Sequence, residues 1–460
     1  MGFKCLIQAL EMMMEKQNGS AARRPMGSGG IHYAWFIAAI AAVLQITTNF
    51  ISQAFSVIMV TIQKDFGWTL TAITLAYFIK NMVQAVSSPV AGWLGDRYGA
   101  RRTLLMAATM YAVGLLLLSQ MHAIWQLYLY YSVMLGLAQA MFAVNIPTTV
   151  AAWFRQRLGV AIGVQQSLGG MGASVMAPVL ALVLGRTDWQ SAFVGITIVG
   201  GIILFTLLFL FHNDPADNDM EPYGATAADP PQTSATQNPA LTKVRTQVFL
   251  QHVRRTRAFW NLIAIHHLGC IGHSIIMVGV VYYATTRGVS LPQAAWIVSI
   301  YSLCGVASRF ATPILADRWG AKGVMALAFF IQGITVALLF WSREVWQFYL
   351  FAALFGIGLG GEMSAFIVIN RQYYGLGPVR TVFGFQQFGS SLGMALGGLI
   401  GSVIFDAFGS YDLAWLVSIA ASLSGVVCIF FLEPTSRLLI PDWEASLPPE
   451  ARSSASAGLV

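Results

Sequence analysis

Three charged side chains stand inside long apolar stretches of this 460-residue sequence, and they are its strongest candidates for chemistry. Arg309, Lys80 and Glu362 each interrupt a run that is otherwise suited to hydrocarbon. A charge in hydrocarbon costs about 3 kcal/mol or more, so it is retained mainly where the protein uses it. The planar guanidinium of Arg309 can hold a carboxylate through two parallel hydrogen bonds, which indicates an anion-binding site.

Each of these residues also has a plainer explanation. Arg309 could form a salt bridge with Glu362, because charges inside membranes commonly pair. Lys80 could be a second carboxylate contact, or it could extend its ammonium group to the nearer membrane interface. We interpret Glu362 as the leading proton-coupling candidate, since a carboxyl group removed from water binds its proton more tightly. His273 is the second candidate, and a structural, hydrogen-bonded histidine is its alternative.

The composition places the chain in a membrane. Hydrophobic residues make up 57% of it and charged residues only 10%, which leaves too little polar surface for a soluble globule. Apolar runs of about 20 residues suit helices that cross a bilayer core of about 30 Å, rather than a β-barrel. The net charge of +7 does not indicate nucleic acid, because the basic residues flank the apolar runs. The four cysteines show no metal-type spacing, and we expect no metal and no cofactor.

We predict twelve spans in two sets of six. They cover 31–57, 67–91, 102–120, 124–151, 156–185 and 190–211, then 258–284, 290–317, 321–341, 345–370, 379–405 and 411–433. The chain thus divides into an N-terminal segment (1–30), a first half (31–211), a linker (212–257), a second half (258–433) and a tail (434–460). We expect the tail to be disordered, because it is rich in Pro, Ser and Ala. Twenty of the 26 basic residues fall on one side of these spans, which predicts cytoplasmic termini.

A charged, glycine-rich motif occurs twice in the chain. Residues 92–102 read GWLGDRYGARR and residues 312–322 read TPILADRWGAK, and Asp317 follows Asp96 at an offset of 221. Further matches recur at the same offset, so the two halves share one internal order. An acid and a base at a helix end predict a gating contact with a neighbouring helix. The alternative is a basic loop that only sets topology. The predicted gating residues are Asp96, Arg97, Asp317 and Arg318.

Neutral polar side chains within the spans could either line a water-filled cavity or join helices by hydrogen bonds. Gln45, Thr48 and Asn49 recur at helical spacing and form one polar face. Glycine-rich stretches at 169–172 and 389–393 indicate close helix packing. The predicted substrate contacts are Arg309, Lys80, Asn49, Gln165, Gln386 and Asn145.

The repeated motif resembles the signature loop of the major facilitator superfamily, and the six-plus-six layout agrees over nearly the whole chain. Residues 153–163 (WFRQRLGVAIG) and 213–224 are similar to corresponding fragments of the monocarboxylate porters and the oxalate/formate antiporters. Arg309 resembles an arginine of the eighth helix that in those families meets the substrate carboxylate. The sequence departs from the oxalate branch in the eleventh span, where no lysine follows Arg380.

The resemblance implies an all-α membrane protein of twelve transmembrane helices in two pseudo-symmetric halves. It implies a secondary transporter of a small mono- or dicarboxylate, working by alternating access with protons or a counter-anion. We expect a bacterial inner-membrane location, with the substrate and the lipid bilayer as partners and no nucleic acid. One alternative is an exporter of drugs or a carrier of neutral solutes, with Arg309 structural. Another is a sensor that moves no solute. An enzyme is disfavoured, because the spans hold no paired set of reactive groups.

Overall fold

The computed structural model describes residues 32–68, 70–184, 187–218, 220–225 and 239–452, and within them it contains twelve long helices. Nine helices of this described part are long and apolar enough to cross a membrane. The predicted all-α fold is confirmed. The first half comprises α1 Tyr33–Phe66, α2 Leu70–Tyr98, α3 Ala100–Leu118, α4 Ile124–Ala152, α5 Leu158–Leu184 and α6 Trp189–Leu210. The second half comprises α7 Arg257–Thr286, α8 Leu291–Trp319, α9 Ala321–Phe340, α10 Val345–Tyr374, α11 Arg380–Phe408 and α12 Asp412–Phe430.

The repeated charged motif is helical over most of its length, which corrects the predicted break between spans. Helix α2 continues through Asp96 to Tyr98, and it ends where Gly99 adopts a φ of 87°. Helix α8 ends in the same way before Gly320, also at a φ of 87°. Glycine adopts this backbone conformation without steric penalty. Gly320 follows Gly99 by 221 residues, so the duplication extends to the backbone angle.

Both described ends of the chain lie at one end of the bundle, which we call the terminal face. The hydroxyl of Tyr33 donates to the carbonyl of Leu210 over 2.8 Å, so the start of α1 lies beside the end of α6. The ammonium of Lys322 donates to the carbonyl of Phe430 over 3.0 Å, so the start of α9 lies beside the end of α12. The other end of the bundle is called the opposite face. Residues 1–31, the predicted N-terminal segment, lie outside the described residues.

The linker and the tail pack together at the terminal face. The linker contains a helix, Pro239–Val253, which we call the linker helix. Its fully buried Phe249 packs against Trp443 of the tail, with ring centroids 5.0 Å apart. Arg245 forms an ion pair with Glu444 and donates to the carbonyl of Ala451. The predicted disorder is therefore wrong for tail residues 434–452, because an apolar and an ionic contact hold them. Residues 453–460 lie outside the described part.

Closely packed glycines join α7 to α11. A β-carbon at Gly389 would lie 2.5 Å from the carbonyl oxygen of Ile263, and one at Gly397 would lie 2.6 Å from that of Ile271. A β-carbon at Gly393, between them, would collide with the backbone of α7. Small residues at this spacing let two membrane helices approach closely. The interpretation of the 389–393 stretch as a packing surface is confirmed.

This packing predicts that Gly397→Ala destabilises the protein by about 1–3 kcal/mol, because overpacking must push α7 away from α11. Gly401→Ala is the matched control on the same helix, since its β-carbon would meet its nearest neighbour, Ile275, at an ordinary 3.4 Å. Thermal unfolding of both variants in one detergent compares them. Equal unfolding temperatures would contradict the packing argument.

Candidate functional site

A buried carboxylate on α2 connects the two halves at the terminal face. One oxygen of Asp96 accepts hydrogen bonds from the backbone N–H of Thr381 over 2.8 Å and from its hydroxyl over 2.6 Å. The other oxygen lies 4.0 Å from the guanidinium of Arg380, which also donates to Asp214 of the linker over 3.4 Å. A carboxylate buried to this extent needs such partners, because isolation would carry a large desolvation cost. The first half is thereby joined to the start of α11.

Glycines bring α2 and α11 into direct backbone contact beside Asp96. A β-carbon at Gly92 would collide with the carbonyl of Arg380, and one at Gly384 would lie 2.5 Å from that of Ser88. Asn145 of α4 supports the same region. Its side-chain N–H donates to the carbonyls of Ala91 over 3.1 Å and Met141 over 3.0 Å. The structure therefore places Asn145 at the contact between α2 and α4.

A second, pseudo-symmetric contact joins α5 to α8. Asp317 accepts a hydrogen bond from the backbone N–H of Gly159 over 3.3 Å. A β-carbon at Gly159 would collide with the carbonyl of Pro313. Position 92 corresponds to position 313 at the offset of 221, and position 159 corresponds to position 380. The contact between Gly159 and Pro313 is therefore the counterpart of the contact between Gly92 and Arg380. Asp317 is exposed and accepts a hydrogen bond from Gly159, whereas Asp96 is buried and accepts two from Thr381.

The arginines that follow these two acids, which the sequence predicts to be gating residues, form no ion pair with them in the described part of the chain. The guanidinium of Arg97 lies 5.1 Å from the ring centroids of both Trp93 and Tyr98 on its own helix. Arg318 is exposed, and it forms no ion pair within the described ranges. The base nearest Asp96 is instead Arg380, which the sequence analysis did not single out for this role. Its counterpart at position 159 is glycine, so the repeat contained no signal for this role.

Arg309 reaches from the second half into the first at mid-depth. A β-carbon on Gly170 of α5 would collide with its guanidinium. Gly170 lies 11 residues after Gly159, or roughly 16 Å along α5, which is about half the thickness of a bilayer core. The Nε of Arg309 is buried without a hydrogen-bond partner. No described acid forms an ion pair with it, so the alternative salt bridge to Glu362 is wrong.

Glu362 instead pairs with His273. Both side chains are fully buried, and Nδ1 of His273 lies 3.1 Å from Oε2 of Glu362. The other ring nitrogen lies 3.0 Å from the sulfur of Met394, and Oε1 of Glu362 has no hydrogen-bond partner. The thiol of Cys270 lies nearby, and the three donor groups fall within 4.8 Å of one another. That spacing could accommodate a metal ion. The 3.1 Å separation is that of a hydrogen-bonded dyad, which is how we interpret it.

Lys80 is buried and does not extend to the membrane interface. It is 4% exposed, and its ammonium lies 5.9 Å from the ring centroids of both Tyr77 and Tyr131. Aromatic faces attract a cation at this distance. Lys80 lies ten residues after the start of α2, which is at the opposite face.

The predicted neutral contacts form two separate groups. Gln165 of α5 donates to Gln45 of α1, and Gln139 of α4 donates to Asn49 of α1 over 2.9 Å. These bonds join three helices of the first half. In the second half, Gln386 and Asn370 exchange hydrogen bonds of 2.8 and 2.9 Å. The side chains of residues 50–61 lie outside the described ones.

Two six-helix halves that meet through matched glycine contacts define a duplicated membrane protein. The profile of the Major Facilitator Superfamily matches residues 36–272 and 262–457, and the chain belongs to this superfamily. It is similar to the "Oxalate:formate antiporter" of Oxalobacter formigenes, with 21% identity over 87% of this chain and 91% of that protein.

Two human proteins are similar over comparable lengths. "Monocarboxylate transporter 12" is 22% identical over 88% of this chain and 80% of its own length. "Monocarboxylate transporter 11" is 25% identical over 79% of this chain and 73% of its own length. The resemblance stated from the sequence is confirmed, and the protein is a transporter rather than an enzyme.

The buried contact at Asp96 predicts that Asp96→Asn slows transport more than it weakens substrate binding. A hydrogen bond to a charged group contributes about 1.5–3 kcal/mol. Removing the charge of Asp96 should therefore weaken its contact with Thr381, open the terminal face and lower turnover by roughly tenfold. Substrate affinity should change less than about threefold, because Asp96 is remote from mid-depth. Turnover and equilibrium binding of the reconstituted protein measure the two effects.

Asp317→Asn is the pseudo-symmetric control, and its exposed carboxylate predicts a smaller effect on turnover. Labelling of cysteines introduced behind the contact reports whether the terminal face opens. Normal turnover together with unchanged labelling in Asp96→Asn would show that the contact does not gate.

Proposed function

We propose that this protein is a secondary transporter of a small organic anion, a mono- or dicarboxylate. The observation that carries the proposal is the half-buried Arg309, whose guanidinium lies at mid-depth against Gly170 with a buried, unbonded Nε and with no acid paired to it among the described residues. A cation at this depth marks a substrate or ion pathway, and an anion bound from solution would stabilise it. The guanidinium fork fits a carboxylate through two parallel hydrogen bonds.

The names of the relatives support the same substrate class. They are an oxalate:formate antiporter and monocarboxylate transporters, and the chemistry common to those names is the carboxylate group. The absence of a lysine after Arg380 in α11 argues against the dicarboxylate pairing expected in the oxalate branch. We assign the second cation to Lys80, which places one positive charge on each half.

The four predicted neutral contacts receive two different roles in this proposal. Asn49 and Gln165 are also hydrogen-bonded, to Gln139 and Gln45, but these bonds join α1 and α4 to α5, the helix that carries Gly170 against Arg309, so we assign them to the substrate pathway. The amide of Gln386 is engaged with Asn370, and that of Asn145 with α2, so we assign both an indirect role through helix packing. The site then consists of two cations and a polar wall.

The two glycine contacts close the terminal face, which supports a conformation open toward the opposite face. We infer that the terminal face is cytoplasmic, because basic residues concentrate there. The conformation is then outward-open, both termini are cytoplasmic, and the membrane is the bacterial inner membrane. Rocking of the two halves would break the Asp96 contact and open the site to the cytoplasm.

We assign proton coupling to the dyad of His273 and Glu362. A buried acid hydrogen-bonded to an imidazole can exchange a proton when the surrounding helices rearrange. Helices α7 and α10, which carry the dyad, pack with α8 and α11 in the second half. Exchange of one anion for another, without protons, is the alternative mode that the experiment on Glu362 distinguishes.

The anion site predicts graded losses at Arg309. Arg309→Gln should lose roughly 2–5 kcal/mol of carboxylate binding, as expected when one partner of a buried charge pair is removed. Arg309→Lys keeps the charge but loses the two-point fork, so it should retain weak binding. Lys80→Gln should lose less. Equilibrium binding of a panel of carboxylates and neutral analogues to the purified variants measures this.

Two further variants control the Arg309 experiment. Gly170→Ala keeps the charge but displaces the guanidinium, so it should weaken binding without removing it. Arg343→Gln removes an exposed base outside the spans and should leave affinity unchanged. A well-inserted Arg309→Gln protein with near-normal affinity would refute the site. Preference for neutral or cationic solutes would support the drug or neutral-solute alternative.

The dyad predicts that Glu362→Gln abolishes proton-driven accumulation but preserves exchange of substrate for substrate. Glutamine keeps the shape of the side chain and can still bond to His273, but it cannot release a proton. Uptake into liposomes under an imposed pH gradient is compared with counterflow at equal pH. If accumulation survives unchanged, Glu362 is a packing or hydrogen-bonding residue.

A further inference from the structure

A groove of about 340 Å³ opens at the terminal face, between the α8–α9 turn and the end of α12. One wall consists of Trp319, Gly320, Lys322 and Gly323, and the other includes Phe430 and the tail segment 434–436. The groove lies outside the proposed transport site. Of the helices that line it, only α8 carries residues assigned to the site or to gating. Neither the repeat nor the proposed transport cycle accounts for it.

The groove changes from apolar to polar along its length. Its part within the spans is lined by Ala326, Ile429 and Phe430, and its outer part by Lys322 and the hydroxyls of residues 435–436. Trp319 on its rim is 75% exposed, and Phe430 is 69% exposed. Tryptophan at such a position is typical of the boundary between lipid tails and headgroups. The polarity gradient therefore matches a phospholipid, with its glycerol inward and its phosphate outward.

The charge on the groove lining is positive and comes from Lys322, while the acids Asp317 and Glu433 lie just outside the lining segments. Lys322 donates to the carbonyls of Phe430 and Leu432, and since an ammonium has three N–H donors, one remains for a ligand. Arg318 precedes one lining segment and Arg437 follows the other, and both are exposed. None of the ten lining residues is acidic. At about 30 Å³ per water molecule, the volume holds roughly ten waters, so it has room for a phosphate with its glycerol.

We propose that this groove binds the headgroup and glycerol of an anionic phospholipid. The two glycines on its wall create the space, because a side chain at either position would enter it. A lipid held there bridges the start of α9 to the root of the tail, so it connects the bilayer with the segment that packs on the linker helix. The proposal does not depend on the identity of the transported solute.

The test fills the groove without disturbing the fold. A β-carbon at Gly323 would meet no atom within 4 Å, so Gly323→Leu occupies the groove without a collision, and Gly323→Glu adds a repelling charge. Gly195→Leu is the matched control, because Gly195 is also an exposed glycine near the start of a span with open space at its β-carbon. The full-length protein is purified in detergent and titrated with brominated phosphatidylglycerol.

Bromine quenches nearby tryptophan fluorescence, and the difference between the parent and its Trp319→Phe variant isolates the signal of Trp319. Wild type and Gly195→Leu should be quenched at low lipid, with displacement by phosphatidylglycerol and not by phosphatidylcholine. Gly323→Leu and Gly323→Glu should need about tenfold more lipid or fail to saturate. Equal quenching in Gly323→Leu and wild type, or equal displacement by phosphatidylcholine, would overturn the proposal. Displacement by glycerol phosphate alone would overturn the lipid assignment, because it would show that the groove binds a free phosphate ester.

Discussion

The low dielectric of the membrane interior governs this protein, because each charge that enters it requires a partner. Asp96 has the N–H and hydroxyl of Thr381, and Glu362 has His273. Lys80 lies among aromatic rings. Arg309 differs from these three, since no acid in the described part of the chain pairs with it. The arrangement leaves one strong cation available at mid-depth, where the two halves meet.

The duplication supplies the scaffold but not the chemistry. Glycine contacts between α2 and α11 recur between α5 and α8 at the same offset of 221, and so do the positive φ angles of Gly99 and Gly320. The reactive groups do not recur. Subtracting 221 converts Arg309 into Ser88 and Glu362 into Met141. The first half therefore lacks equivalents of both residues.

The terminal face combines several segments that are distant in the sequence. Arg380 bridges Asp96 of the first half and Asp214 of the linker. Phe249 of the linker helix fills the space left by Gly377, three residues before Arg380, and Trp443 of the tail covers it. The linker and the tail are therefore tied by direct contacts to the face at which the two halves meet.

The sequence by itself determined the twelve helices, the duplication and the candidate charges, because hydrophobic length and the cost of buried charge are local properties that need no partner. It also indicated the family correctly from short motifs. Only the tertiary structure decided how the charges pair. Glu362 meets His273 across 89 residues, Asp96 meets Thr381 across 285, and Arg380 lies beside Asp96 although its own segment gave no signal of this contact. Such pairings depend on which helix faces pack together, and helix packing is settled by contacts between surfaces far apart in the chain.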